Sequence, residues 1–136
     1  GAMRKISTET APAAIGPYSQ GIVVDRLGLV FVCGQLGMDP ATQQLVEGGV
    51  EDEFRRAVRN AQAVLAAAGC TLADVVRVTL YLTDMGDFAA VNAAYAEFFS
   101  QPYPSRSTVE VAGLPKGGRV EVEVTAAREG FRPLSH

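Results

Sequence analysis

The sequence predicts a two-layer α+β domain, in which a mixed β-sheet carries two helices on one face. Residues 76–83 and 119–124 alternate apolar and polar side chains without a break, which is the pattern of strands with one buried face. Residues 50–68 and 88–98 repeat their apolar side chains at helical spacing. The length of 136 residues fits a single domain.

The chain begins with a predicted β-hairpin. Its strands are the apolar and β-branched runs at residues 19–25 and 29–34, with Gly28 between them. A short extra strand before the hairpin is also compatible with the sequence. Residues 35–49 are polar and contain the turn signal Asp-Pro-Ala-Thr at residues 39–42, so we expect a loop there.

The two helices follow, separated by the first alternating strand. Acidic residues crowd the first turn of the helix predicted over residues 50–68, as the helix dipole favours, and Gly69 is placed to end it. The second helix is expected to begin near Asp84 or Asp87, with two prolines closing it within residues 102–104. Its apolar side chains are expected to point into the core: Phe88, Val91, Tyr95 and Phe98.

Two more strands, over residues 106–111 and 119–124, complete the order β-β-α-β-α-β-β. The helices can cover only one face of such a sheet. In a chain this small, the other face requires a cover from outside, which indicates a partner subunit.

The composition is typical of a globular protein and argues against several functional classes. Hydrophobic residues make up 48% and charged residues 20%, and no apolar run is long enough for a membrane helix. Residues 3–10 lack the apolar core of a secretion signal, so we expect a cytoplasmic protein. The net charge of −3 and the lack of a basic stripe argue against a nucleic-acid partner.

Rare residue types narrow the chemistry further. Residues 1–3, Gly-Ala-Met, look like a tag remnant with the initiator methionine, which leaves one expected domain over residues 4–136. The one histidine, His136, argues against a catalytic triad or a multi-histidine metal site. Cys33 and Cys70 are too few for a zinc ribbon, and we expect Cys33 to be a buried free thiol. Neither a metal nor a cofactor is expected.

Four segments carry short motifs in a fixed order. They are AIGPYSQ at residues 14–20, FVCGQ at 31–35 followed by DP at 39–40, DFAAVN at 87–92 followed by a tyrosine and two phenylalanines at 95–99, and PSRSTVEV at 104–111 followed by LP at 114–115 and VEVE at 120–123. Each motif alone is a weak signal. Together, over about residues 7–128, they resemble the RidA (YjgF-type) family.

The resemblance implies a fold, an assembly and an activity. The fold is a chorismate-mutase-like α+β subunit, and the assembly is a homotrimer with the sheets facing inward and the sites in clefts between neighbouring subunits. The activity is hydrolysis of 2-aminoacrylate-type enamines, or imines such as 2-iminopropanoate, to 2-keto acids and ammonia. The resemblance implies no metal and no organic cofactor.

The resemblance also implies roles for particular residues. Arg106 matches the carboxylate-binding arginine and Glu121 the water-orienting glutamate, so these two are the expected catalytic residues. The expected substrate-binding residues, beside Arg106, are Tyr18, Gly34, Asn92 and Thr108.

Several positions depart from the family pattern. Cys33 stands where serine is common, Thr108 where the archetype has cysteine, and Gln43 where glycine is usual. Leu-Gly at residues 36–37 replaces Ile-Pro. These changes touch pocket walls and one loop, so they bear on the preferred substrate side chain rather than on the reaction class.

The expected chemistry suits the two catalytic residues. A guanidinium binds a carboxylate at two points and keeps its charge at any working pH, and a carboxylate can both orient a water and accept its proton. The alternation of residues 119–124 puts Arg119 and Glu123 on the face of Glu121. A nearby Glu123 would raise the pKa of Glu121 and a nearby arginine would lower it, and the sequence leaves both open.

Two other functions stay open on sequence grounds. One is a ribonuclease or translation inhibitor, an activity attached to some relatives of the family. The other is a trimeric protein that binds small carboxylates without chemistry, for which Arg106 alone would be enough.

Overall fold

The chain forms a mixed six-stranded sheet that carries two helices on one face, as predicted. The computed structural model describes residues 3–128, so residues 1–2 of the expected tag and His136 lie outside the described residues. In chain order the elements are β1 (Met3–Ile6), β2 (Gly21–Val24), β3 (Leu29–Leu36), β4 (Met38–Asp39), β5 (Gln44–Leu45), α1 (Val50–Ala67), β6 (Val75–Leu82), α2 (Phe88–Tyr95), β7 (Ser105–Glu110) and β8 (Val120–Ala127).

The strand order in the main sheet is β1-β2-β3-β8-β6-β7. Among the strands within residues 3–128, only β6 and β7 pair in parallel, and α2 lies in the crossover between them, as a parallel pair requires. The short extra strand is confirmed as β1, which pairs with β2 at one edge of the sheet. Met3, the expected initiator methionine just before the domain expected over residues 4–136, belongs to this strand and pairs with Val24.

The core lies between the sheet and α1. Alternate residues of β8 are buried beneath this helix, as period two predicts. The helix contributes its own buried apolar side chains, which are Val50, Phe54, Ala57, Val58, Ala61, Val64 and Leu65. On the opposite sheet face Phe31 is 43% exposed and Val109 is 40% exposed, so within this single chain that face lacks a cover.

The second helix begins after Asp87, as predicted, but it ends earlier than the apolar spacing over residues 88–98 indicated. Asp84 caps a short 3₁₀ turn through the backbone N–H of Gly86 at 2.8 Å, and α2 starts only after that turn, at Phe88. The expectation that Phe88 is a core residue is wrong, because the side chain lies at the rim of the sheet and is 38% exposed. The helix ends at Tyr95, and Phe99 beyond it is buried.

The predicted loop over residues 35–49 contains the small hairpin β4–β5, which the sequence did not reveal. Its turn is the predicted one, with the Asp39 carboxylate accepting the Ala41 N–H at 2.8 Å. Gln43 adopts a φ of 61°, the left-handed region in which the family's usual glycine is unstrained. Neither helix within residues 3–128 has the length and apolar character of a membrane span.

Candidate active site

Arg106 projects from the edge strand β7 toward the helix side of the sheet. It lies opposite Val78 of β6, and Val78 is fully buried beneath the helices. The guanidinium carbon Cζ lies 4.5 Å from the ring centroid of Tyr95 and 5.7 Å from that of Phe88, and both rings belong to α2. The cation is therefore held against two aromatic side chains.

The Arg106 guanidinium has no ion pair with a carboxylate of residues 3–128. It lines an open cavity of about 400 Å³, which we call the arginine cavity. The other residues of this cavity are Asn92, Tyr95, Ala96, Tyr103 and Pro104. An unpaired cation beside an amide at the wall of a cavity is an arrangement suited to binding a small carboxylate.

Glu121 lies on the other face of the sheet. On β8 it stands between Leu36 of β3 and Tyr81 of β6, and it is half-buried. Burial raises the pKa of its carboxyl group above the ordinary glutamate value, and the nearby charge of Glu123 raises this pKa further. The sequence left open whether the pKa of Glu121 is raised or lowered, and in the structure it is raised.

Arg119 does not lie on the same face as Glu121, contrary to the alternation read from the sequence. The residue precedes the first residue of β8, and its backbone N–H and Nε donate to the two carboxylate oxygens of Glu53 at 2.9 and 2.7 Å. Glu53 is a buried residue of α1. This ion pair turns Arg119 toward the helix, so the raised pKa of Glu121 is due to burial and to Glu123.

Gly34 makes room for the Glu121 carboxyl group. The pairing of β3 with β8 shifts between Val32 and Gln35, so that β3 has one extra residue at this bulge. A Cβ atom added to Gly34 would lie 2.6 Å from Oε1 of Glu121. A side chain at residue 34 would therefore displace the Glu121 carboxyl group from this position.

A second cavity, of about 340 Å³, surrounds this carboxylate, and we call it the glutamate cavity. Tyr18, Cys33, Gly34, Lys116 and Glu121 are among the residues that line it. Half of the Tyr18 ring is exposed, and its hydroxyl accepts the Ile15 N–H at 3.4 Å. Tyr18, Gly34 and Glu121 are thus brought together as expected.

The glutamate cavity is also lined by Cys33 and Lys116, which were not among the expected catalytic or substrate-binding residues. Cys33 is half-buried rather than buried, and burial together with the charge of Glu121 raises the pKa of its thiol. Lys116 adopts a φ of 59° in the turn after Pro115. The Pro-Lys-Gly-Gly sequence signals a turn, but no sequence pattern assigns a lysine to the left-handed region.

Arg106 and Glu121 cannot meet within one chain. Their partners on β6 are Val78 and Tyr81, which are three residues apart and therefore point to opposite faces of the sheet. Of the expected site residues, the arginine cavity contains only Arg106 and Asn92. Thr108 shares the strand face of Arg106, but it lines neither cavity in the described part of the chain.

Within residues 3–128 no cluster of three or more histidine, cysteine, aspartate or glutamate side chains is arranged to bind a metal ion.

Known proteins resemble this chain over nearly its whole length. The family model described as Endoribonuclease L-PSP matches residues 8–128. A goat (Capra hircus) protein named 2-iminobutanoate/2-iminopropanoate deaminase is 52% identical over 125 residues, which cover 92% of this chain and 90% of that protein. The residues that the family model matches include those that line both cavities.

Solved structures give the same result. The crystal structure of RidA from the Antarctic bacterium Psychrobacter has a TM-score of 0.86 at 44% identity, covering 91% of this chain and 98% of that one. The structure of Escherichia coli TdcF with bound serine has a TM-score of 0.84 at 40% identity, covering 93% and 99% of the two chains. The serine-bound relative carries a small molecule with a carboxylate group.

Proposed function

The chain belongs to the RidA (YjgF-type) family, and from this premise we propose that it is an enzyme that deaminates reactive enamines and imines. It hydrolyses 2-iminopropanoate, 2-iminobutanoate and their enamine tautomers to 2-keto acids and ammonia. The observation that carries this proposal is the 52% identity, over 92% of the chain, with a protein named for this activity. The unpaired Arg106 guanidinium in an open cavity suits the anionic substrate.

We place each active site between two subunits of a homotrimer. Arg106 and Glu121 point to opposite sheet faces in one chain, so a common site requires the arginine cavity of one subunit to face the glutamate cavity of its neighbour. The sheet face that carries Glu121 is uncovered in the single chain, and Phe31 and Val109 expose apolar surface on it. A closed ring of three chains would cover this face and complete three equivalent sites.

In the proposed reaction Arg106 holds the substrate carboxylate at two points and so fixes the position of the neighbouring C=N carbon. A water molecule attacks this carbon while Glu121 accepts one of its protons, which forms a C–O bond and shifts the C=N electron pair to nitrogen. The nitrogen takes back the proton held by Glu121 to give a carbinolamine. As the C–N bond of this carbinolamine breaks, its hydroxyl oxygen forms the C=O bond, and the hydroxyl proton passes through Glu121 to the departing nitrogen. The products are a 2-keto acid and ammonia, and no redox step occurs.

The remaining site residues assist binding in this proposal. Asn92 presents its amide beside Arg106 in the arginine cavity, where it can orient the substrate. Tyr18 contributes its ring and hydroxyl to the wall of the glutamate cavity, and Gly34 keeps the space that the Glu121 carboxyl group occupies. Thr108, two residues beyond Arg106 on the same strand face, is the remaining proposed substrate-binding residue.

A coupled assay tests the function directly. A serine or threonine dehydratase generates 2-aminoacrylate or its homologue, and 2-keto acid release is followed with and without the protein. We expect release well above the spontaneous rate, which is itself appreciable for such enamines. Release at the spontaneous rate alone, accompanied by binding of a small carboxylate, would identify a binding protein and contradict the proposal.

A further inference from the structure

An arginine that binds a substrate carboxylate needs a support that leaves its donors free. A protein carboxylate paired with the guanidinium would occupy the N–H groups that the substrate has to use. The chain supports other arginines in that way. Arg119 donates through Nε to Glu53 at 2.7 Å, and Arg55 donates through Nη2 to Glu97 at 2.9 Å.

Arg106 is supported by aromatic rings instead. The Tyr95 centroid lies 4.5 Å and the Phe88 centroid 5.7 Å from Cζ, and no carboxylate within residues 3–128 forms an ion pair with the guanidinium. The negative face of an aromatic ring attracts a cation without accepting its N–H hydrogen bonds in the plane of the guanidinium. Such a support holds the charge in place and leaves the donors available.

We infer that Tyr95 and Phe88 are positioning residues, whose rings hold Arg106 at the arginine cavity with its donors free for the substrate carboxylate. This inference rests on the proposed function, which assigns the substrate carboxylate to Arg106. It gives a role to two aromatic side chains of the third motif segment to which the resemblance assigned none, namely to surround the arginine with aromatic, uncharged neighbours.

The two rings contribute in different ways. Tyr95 is buried and stacks on Phe99 with 4.4 Å between centroids, so it is a fixed platform for the guanidinium. Its hydroxyl is buried and has no hydrogen-bond partner among the described residues, so the ring face accounts for the contact with Arg106. Phe88 is 38% exposed at the first residue of α2, where core packing does not explain a large apolar side chain.

The test compares Phe88→Glu with Phe88→Gln. The two variants lose the same ring and have nearly the same shape, but only the glutamate places a carboxylate within reach of Arg106. A glutamate at the first residue of α2 is also favoured by the helix dipole, so its folding is not at a disadvantage. We expect Phe88→Glu to bind 2-oxobutanoate at least about tenfold more weakly than Phe88→Gln, since a charge-assisted pair has to be broken first.

Kinetics and further variants complete the test. The Phe88→Glu effect should appear in KM, with kcat close to that of Phe88→Gln. Tyr95→Leu, which removes the ring face, should bind 2-oxobutanoate more weakly than Tyr95→Phe, which keeps it. Equal binding by the two Phe88 variants, or equal binding by the two Tyr95 variants, would overturn the inference. Arg106→Ala separates the two claims: if it binds 2-oxobutanoate like the wild type, the proposed role of Arg106 fails first.

Discussion

Replacing Arg106 with alanine should abolish most of the deaminase activity while leaving the protein folded. The substrate carboxylate would then enter the proposed intersubunit site without a partner, and loss of one member of a desolvated ion pair lowers rate or affinity by about 10²- to 10³-fold. We expect kcat/KM for 2-aminoacrylate to fall by this factor in the coupled assay. Arg106→Lys should recover little, because a point charge cannot reproduce the two-point contact.

The control for this variant is Arg26→Ala. Arg26 is exposed in a short turn and lines neither cavity, so its loss should leave kcat/KM unchanged. Melting temperature and light scattering on the same preparations exclude a general loss of structure or assembly. A folded, trimeric Arg106→Ala protein with kcat/KM within threefold of the wild type would contradict the assignment of the carboxylate to Arg106.

Glu121→Gln should lower kcat by about 10²-fold and leave binding of a carboxylate product analogue within about threefold of the wild type. Glutamine keeps the shape and one acceptor oxygen, but it cannot take a proton from water at neutral pH. If kcat and binding fell by the same factor, Glu121 would have a structural role at the glutamate cavity and no role in proton transfer.

The dependence of kcat/KM on pH tests the role of Glu121 in proton transfer a second time. Because burial and Glu123 raise the pKa of Glu121, the wild-type kcat/KM should begin to fall, as the pH decreases, at a higher pH than an ordinary glutamate would give. Glu123→Gln is the matched control, since it makes the same change two residues along the strand. It should keep activity at neutral pH and move the acid limb to lower pH, because one of the two causes of the raised pKa is removed.

The alternating and helical patterns were sufficient to predict the sheet and both helices, because each long element has a periodic apolar face. The sequence pattern did not predict very short strands, and it did not predict the burial of residues at the edge of the sheet. The strands β4 and β5 have two residues each, too few for a period to be seen. Phe88 fits the helical spacing of α2, but its position at the sheet edge exposes it, and spacing alone does not show which turn of a helix faces the core.

The site residues were recognised from motifs, but their arrangement was not. The pairing of β7 and β8 with β6 shows that Arg106 and Glu121 point to opposite faces of the sheet. This register is a property of the folded sheet, and neither strand's own sequence reveals it. Arg119 shows the same limit on a smaller scale. It fits the alternation of β8, yet it lies before the strand begins, and the buried Glu53 determines its direction.

The central claim, that each active site combines Arg106 of one subunit with Glu121 of another, is tested most directly by mixing two inactive chains. Arg106→Ala and Glu121→Gln chains are expressed together in equal amounts, and the unfractionated protein is assayed beside each variant alone. Each interface combines the arginine cavity of one chain with the glutamate cavity of its neighbour. If chains combine at random in a closed ring, half of the interfaces have an intact Arg106, and independently half have an intact Glu121. We predict recovery of about a quarter of the wild-type activity per site, since both halves are intact in one pairing of four. A mixed, trimeric protein no more active than the two variants alone would contradict the account.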